Sequence, residues 1–541
     1  MNAAARWVDA VLFDLARQMR WTFLPPLMVY FAAGFSGLTM IVGTFFVKEY
    51  LDLSAAFLAG LAFWAGLPWA LKMPLGHLVD IMWRWKWLLV YLGAGLIGLS
   101  VFIMYLLLTQ TKAMVAIMPM GAWYVTSYLL APSGLVIQDA VADAMSVEAV
   151  PRVDAEGREI DPETSRALHT TMQTLGRFAL ISGTVAVAAL NITMFSGIEA
   201  LDAEGKRAVY ATIYLAALAI PLVSVSGVIL AGVQKRRARR GLLRRGLSEA
   251  EADALFERPD EKTTPNPWYF IGGAGFVALS LTIGLSDLAF GQEIIFAGSL
   301  AIVLLLMRQL VAVLPVAQAR TLIGTALIIF IFRAVPRVGD GYTWFSIDVL
   351  GFDQQFLSVL SLIASLLTLA GMVILRPLIA NHTIVYIIVI LTVAGGVLSL
   401  PNIGLYYGIQ DMTGPLTGGV VDARFIAIMD TAMESPLGQI AMIPMLAWIA
   451  RNAPDDLKAT FFAVMASFTN LALSASSLLT KYLNEVLIVT REVRDADTGA
   501  VTTPADYSQL GVLILIVSGL TVALPLLAVA LVQRTRLRSV D

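Results

Sequence analysis

The sequence predicts an all-α integral membrane protein of about fourteen transmembrane helices, and three observations carry that reading. Of the 541 residues, 58% are hydrophobic and only 14% are charged, whereas about a quarter of a soluble domain is charged. Apolar runs of roughly twenty residues recur along nearly the whole chain, enough to cross a hydrocarbon core of about 30 Å at about 1.5 Å per residue. These runs lack the period-two alternation of membrane β-strands, so helices must satisfy their backbone in lipid.

Composition also excludes functions. A net charge of -2 provides no field for a nucleic-acid partner. The absence of cysteine rules out disulfides and thiolate metal sites, and three histidines make a conventional zinc site unexpected. No P-loop, GxSxG, HExxH or paired CxxC occurs, so neither ATP-driven transport nor hydrolysis is expected. The expectation is a non-enzyme without cofactor or metal, whose partners are lipid, a small solute and a proton or other cation.

Residues 1–24 read as an amphipathic N-terminal helix, with Trp7, Val8, Val11, Leu12 and Leu15 on one face. Membrane segments follow near 25–47, 54–79, 87–109, 115–141, 171–195, 208–233, 267–287, 291–315, 319–335, 355–379, 383–402, 424–450, 458–482 and 508–533. Their even number places both termini on one side. Arg84, Lys86, the basic run Lys235 to Arg245, Arg320, Arg376, Arg451, Lys458 and Arg534 to Arg538 then fall together. By the positive-inside rule that side is cytoplasmic, which predicts an inner (plasma) membrane protein with both termini inside.

A polar basic linker, 234–266, divides the chain; within it Ser248 and Glu251 form a capping box opening a short helix over Ala250 to Phe256. Leu51-Asp52-Leu53-Ser54-x-x-Phe57-Leu58 echoes Leu350-Gly351-Phe352-Asp353-x-x-Phe356-Leu357, and Ser54 or Asp353 can cap the helix that follows. The echo divides the chain into a six-helix half (25–233), an inserted pair (267–315) and a second six-helix half (316–541). Two polar loops, 153–158 and 494–499, read as small hairpins with glycine at the turn.

Ionisable groups at membrane depth are costly and therefore informative. Lys72 lies in an apolar run, and Asp139 and Asp143 share one face of the fourth segment, four residues apart. Two carboxylates there need cations opposite, and Lys72 and Arg177 are the candidates for an inner gate network. Asp430 and Glu434 repeat the spacing in the twelfth segment with Arg333 as a possible counter-ion, and are candidates for substrate binding or proton coupling. Trp64, Trp123, Tyr124, Tyr128 and Phe332 could stack on a planar ligand, although interface belts and packing explain most membrane aromatics. Pro119, Pro132, Pro315, Pro436 and Pro444 are candidate helix breaks.

Gly76-x-x-x-Asp80-x-x-x-Arg84 resembles the loop signature between the second and third helices of the major facilitator superfamily. In this reading Gly76 permits close helix approach, and Asp80 and Arg84 join the gate network. More specifically, Pro68-Trp69-x-x-Lys72, Gln138-Asp139-x-x-x-Asp143 with Glu148, and Ala459-Thr460-x-Phe462-Ala463 with Ser467 and Asn470 resemble the folate-biopterin transporter family. That resemblance covers both halves and implies a proton- or cation-coupled carrier of a folate- or pterin-like compound. Lys458 stands where the family usually has an acid, and the inserted pair is not typical of it. Muropeptide permeases and non-transporting light-harvesting assembly factors of the same superfamily are the alternatives. Peptide transporters share the inserted pair, but their glutamate-rich first-helix motif is absent.

Overall fold

The structure, a computed structural model, describes residues 19–51, 53–70, 72–151, 160–244, 246, 248–249, 267–284, 288, 290–312, 314–374, 382–437, 458–494 and 501–537. Among these residues eleven helices are long and apolar enough to cross a membrane, and a shorter apolar helix covers Ile271–Gly284. The N-terminal helix reading, the 153–158 loop, the helix over 250–256 and Pro444 lie outside the described residues.

In chain order the first bundle contains α1 (Leu24–Phe35), α2 (Met40–Tyr50), α3 (Ala55–Ala70), α4 (Lys72–Ile81), α5 (Trp87–Thr109), α6 (Thr111–Ile117), α7 (Met120–Ala149), α8 (Pro162–Met194), α9 (Ala203–Ala217) and α10 (Ala219–Arg244). Then come α11 (Pro267–Gly284) and α12 (Gly291–Val311). The second bundle contains α13 (Val316–Arg333), α14 (Asp340–Asp348), α15 (Gln354–Ile374), α16 (Ile384–Leu398), α17 (Leu400–Tyr406), α18 (Ile409–Leu416), α19 (Ala423–Glu434), α20 (Lys458–Val486) and α21 (Leu510–Gln533). Between α20 and α21 a hairpin pairs β1 (Val493–Arg494) with β2 (Val501–Thr503); its turn, 495–500, is not described. Residues 48–51 and 53–54 lie at the outer end of the molecule in the orientation that the Lys and Arg distribution predicts.

Local chemistry explains where these helices begin. Pro25 and Pro26 open α1, where a missing N–H costs nothing. Ser54 Oγ accepts from Phe57 N at 3.1 Å and Asp353 Oδ1 from Phe356 N at 2.7 Å, so both members of the echo are N-caps. Pro119 and Pro315 stand immediately before α7 and α13, whereas Pro132 is accommodated inside α7. Unlike the linker reading, α10 runs unbroken to Arg244 because its Lys, Arg and Leu residues are good helix formers.

Helices within the first bundle approach closely through glycine. A Cβ on Gly93 of α5 would lie 2.6 Å from the Gly134 carbonyl oxygen of α7. Gly76 has no such role among the described residues: a Cβ there meets none of them within 4 Å, contrary to the close-packing expectation.

The two bundles meet where α3 packs on α20 and α8 on α15. Gly66 faces Ser474 there, and Asn470 Nδ2 reaches the Trp69 carbonyl at 3.4 Å, joining two of the signature stretches across the seam. The inserted pair covers the same seam, with α11 against α4 and α12 against α20. At its outer end Gln292 Nε2 donates to the Gly60 carbonyl at 3.3 Å, while its neighbour Glu293 accepts from Tyr482.

One feature departs from a run of simple spans. The chain unwinds between α13 and α14, where the sequence Ala334-Val335-Pro336-Arg337-Val338-Gly339 cannot continue a helix through proline. Side chains one turn apart on α20 satisfy the freed backbone: Ser476 Oγ donates to Val335 O at 2.6 Å, Thr480 Oγ1 accepts from Arg337 N at 2.9 Å, and Asn484 Nδ2 donates to Val338 O at 3.1 Å. Unwound backbone buried away from water requires such partners. Gly339, at φ 85°, then lets α14 begin.

Candidate functional site

The inner cluster forms because α7 presents two carboxylates from successive turns and α4 offers one amine. Lys72 Nζ lies 2.6 Å from Asp139 Oδ2 and 2.8 Å from Asp143 Oδ2. Tyr30 of α1 donates its hydroxyl to the other Asp143 oxygen at 2.7 Å. Tyr30 was not legible as a partner, since a tyrosine in an apolar helix carries no pattern of its own. Arg177 is exposed and within electrostatic range of both acids, but makes no ion pair with either. The side chains of Asp80 and Arg84 are not described.

This cluster joins α1, α4 and α7 inside one bundle rather than bridging the two. Neighbouring signature residues act similarly. Gln138 Nε2 donates to Val90 O at 3.1 Å and Ser224 Oγ at 3.0 Å, tying α7 to α5 and α10. Glu148 pairs with Lys86 at 2.6 Å and Lys235 at 3.7 Å at the inner end.

The second cluster lies in the other bundle, toward the outer end. Asp430 is only 7% exposed. Asn402 Nδ2 donates to its Oδ2 at 3.0 Å, and Tyr342 donates to Asn402 Oδ1 at 2.6 Å, which fixes the amide's orientation. Asp430 Oδ1 is buried and has no hydrogen-bond partner among the described residues. A cavity of about 250 Å³ opens beside it, lined by Tyr342, Ser346, Asn402, Thr431 and Glu434 among others, with no Lys, Arg or His among the described lining residues. Arg333 pairs with neither acid, which corrects the counter-ion expectation. It closes α13 just before the unwound stretch, and the charge within its range is that of Arg337.

Asp340 was overlooked in the sequence. It opens α14, and its carboxylate lies within electrostatic range of Tyr124 and Tyr128 across the seam and of Arg491 behind it. The signal available was the Pro-x-x-Gly-Asp-Gly run marking a broken helix.

The aromatic candidates separate by surroundings. Tyr124 is buried with its ring 6.2 Å from Phe46 and 5.8 Å from Tyr128, while Tyr128 remains 38% exposed. Trp123 donates its indole N–H to Met114 O at 2.9 Å, and Phe332 packs in the second-bundle core. Trp64 sits edge-on to Phe63 and so near Gly284 of the inserted pair that a Cβ there would lie 2.8 Å from its ring. These contacts make Trp123, Phe332 and Trp64 packing residues.

The same architecture occurs in solved transporters. A POT family transporter in complex with a thioalcohol-conjugated peptide superposes with a TM-score of 0.59 at 12% identity, over 95% of this chain and 96% of that one. The nucleoside transporter NupG gives 0.54 at 12% identity, over 94% and 98%. The fold is thus that of these solved carriers, and together with the family match that follows it makes the chain an integral membrane secondary transporter of small solutes rather than an enzyme. More particularly, it belongs to the BT1 family, whose profile matches residues 33–540. Among curated relatives, the folate-biopterin transporter of Synechocystis sp. is 22% identical over 475 residues, 86% of this chain and 75% of that protein. Putative folate transporter 2 of Plasmodium berghei is 23% identical over 189 residues, 33% of this chain and 39% of that protein.

Proposed function

We propose that the chain moves a folate- or pterin-like solute, driven by a proton or other cation, through alternating access of bundles 25–233 and 316–541, with the 267–315 pair across their seam. In this reading the protein lies in the inner (plasma) membrane with both termini cytoplasmic, as its Lys and Arg distribution favours.

The observation that carries the proposal is the orphaned Asp430 Oδ1 beside the cavity. A buried carboxylate oxygen without a partner is unfavourable by about 1–3 kcal/mol or more, and a proton or an N–H donor of the cargo relieves it. Asn402 occupies the other oxygen, so the free one accepts a single strong donor while Glu434 supplies a second acceptor one turn away. A pterin edge presents adjacent N–H donors of this kind. About 250 Å³ falls below the roughly 300–1,000 Å³ of pockets for drug-sized ligands, and the described lining has no cation. The cavity therefore suits a single heterocycle, with any carboxylate tail directed away.

Uptake of a labelled pterin and a labelled folate into proteoliposomes under an imposed pH gradient tests this reading. Accumulation of either with wild type, lost in Asp430→Asn with exchange partly retained, supports it. Equal uptake in liposomes without protein, for both compounds, refutes it. Lys72, Asp139 and Asp143, with Tyr30, serve in this reading as the rigid inner framework of the first bundle on which gating turns.

A further inference from the structure

A carrier opens outward only if the outer ends of its bundles part. Among the described residues, contacts between those ends converge on two residues. Trp344 of α14 is 2% exposed and is buried in the apolar cluster of the opposite bundle, with Phe46, Tyr124 and Tyr214. Arg491 follows α20, is also 2% exposed, and lies with its guanidinium carbon 5.0 Å from the centre of the Trp344 ring.

Arg491 also reaches across the seam. Its Nη2 donates to the Leu51 carbonyl and its Nη1 to the Lys48 carbonyl at 3.4 Å. These carbonyls close α2, where the last four C=O groups of a helix lack intrahelical partners and a cation is favoured by the helix dipole. The backbone beside Arg491 is anchored by the base of the hairpin, where Thr490 and Asp506 exchange backbone hydrogen bonds at 3.0 Å.

Weaker contacts surround this pair. Lys48 lies 2.6 Å from Asp348, which also accepts from Tyr507 at 2.6 Å. Tyr210 links Glu49 at 3.1 Å to Gln354 at 3.0 Å. The Lys48–Asp348 groups are 20% and 24% exposed, so solvent screening limits their strength.

We propose that Trp344 and Arg491 form the outer gate: an aromatic plug from the second bundle seated in the first, locked by a guanidinium that caps α2 across the seam. The lock is reversible because water can replace both partners of each Arg491 hydrogen bond when the ends part. What resists opening is then chiefly withdrawal of the Trp344 ring and loss of the charged cap, while the Lys48 pair sets the register of closure.

The chain has no cysteine, so single cysteines report directly. Tyr128 lies one turn inward of Tyr124, beneath the plug. Tyr128→Cys is placed in right-side-out vesicles and treated from outside with a membrane-impermeant maleimide. Hydrogen bonds from a charged donor bias an equilibrium roughly tenfold or more. Arg491→Ala should raise the labelling rate about that much, Lys48→Ala less than threefold, and Arg491→Lys by an intermediate amount. Spin labels at Tyr50→Cys and Val349→Cys should shift to longer separations in Arg491→Ala. Trp344→Ala serves in the same two measurements should Arg491→Ala fail to fold. Unchanged labelling and unchanged separation in a folded Arg491→Ala or Trp344→Ala protein overturn the proposal, as does a larger effect of Lys48→Ala than of either.

Discussion

Replacing Lys72 with methionine keeps most of the side chain's volume and removes its charge, so what is lost is its pair of carboxylate contacts. Nζ serves two carboxylates, at 2.6 and 2.8 Å, and the side-chain exposures are 22% for Lys72, 16% for Asp139 and 47% for Asp143. Breaking a fully buried ion pair costs about 3–5 kcal/mol, and an exposed pair about 0–1 kcal/mol. The Asp139 contact lies nearer the first limit and the Asp143 contact nearer the second, so Lys72→Met should destabilise the first bundle by about 2–4 kcal/mol. At about 2–4 °C per kcal/mol for a unit of this size, the apparent Tm should fall by roughly 4–16 °C. Thermal unfolding in detergent, followed by tryptophan fluorescence, measures it. The decisive comparison is a double-mutant cycle with Asp139→Asn: the pair should be less damaging than the sum of the single changes by at least about 1 kcal/mol. Strict additivity would refute the coupling, and a Tm within about 1 °C of wild type would refute the whole argument.

Other expectations follow from single contacts. Ser54→Ala and Asp353→Ala each remove an N-cap hydrogen bond and should lower stability by about 1 kcal/mol, with Ser54→Gly or Asp353→Asn recovering most of it in the same unfolding assay. Gly93→Ala forces a Cβ to 2.6 Å from a carbonyl oxygen and should cost about 1–3 kcal/mol; unchanged unfolding would show that α5 and α7 separate freely. Asn484→Leu leaves the Val338 carbonyl without its donor at the helix break and should reduce stability by about 1–3 kcal/mol, whereas Ser477→Ala on a neighbouring face of α20 should not.

The legible parts of this protein were those in which one residue class acts alone or with a fixed sequence partner. Hydropathy marks the spans because lipid imposes it on every helix. Ser54 and Asp353 could be read as caps because a cap contacts its own chain three residues on. Asp139 and Asp143 announced a site because two carboxylates on one helix face demand a cation, and one amine lay nearby in the apolar runs. Partners supplied by tertiary structure were not legible: Tyr30, Asn402 and Tyr342 are neutral groups whose role depends on a helix far away in sequence. Arg491 lies in a loop beside several other charges, and Trp344 looks like any membrane aromatic until the opposite bundle closes on it. Arg333 was misassigned for the same reason, since spacing places it near the outer end but cannot foresee the unwound turn that separates it from Asp430. Trp64 could not be recognised as packing without the inserted pair.

Asp430 carries the proposed coupling, and counterflow against net accumulation in proteoliposomes tests that role directly. With a labelled pterin, Asp430→Asn should abolish accumulation driven by an inward proton gradient while leaving exchange at a measurable fraction of wild type. Accumulation by Asp430→Asn equal to that of the unmodified protein would contradict the assignment.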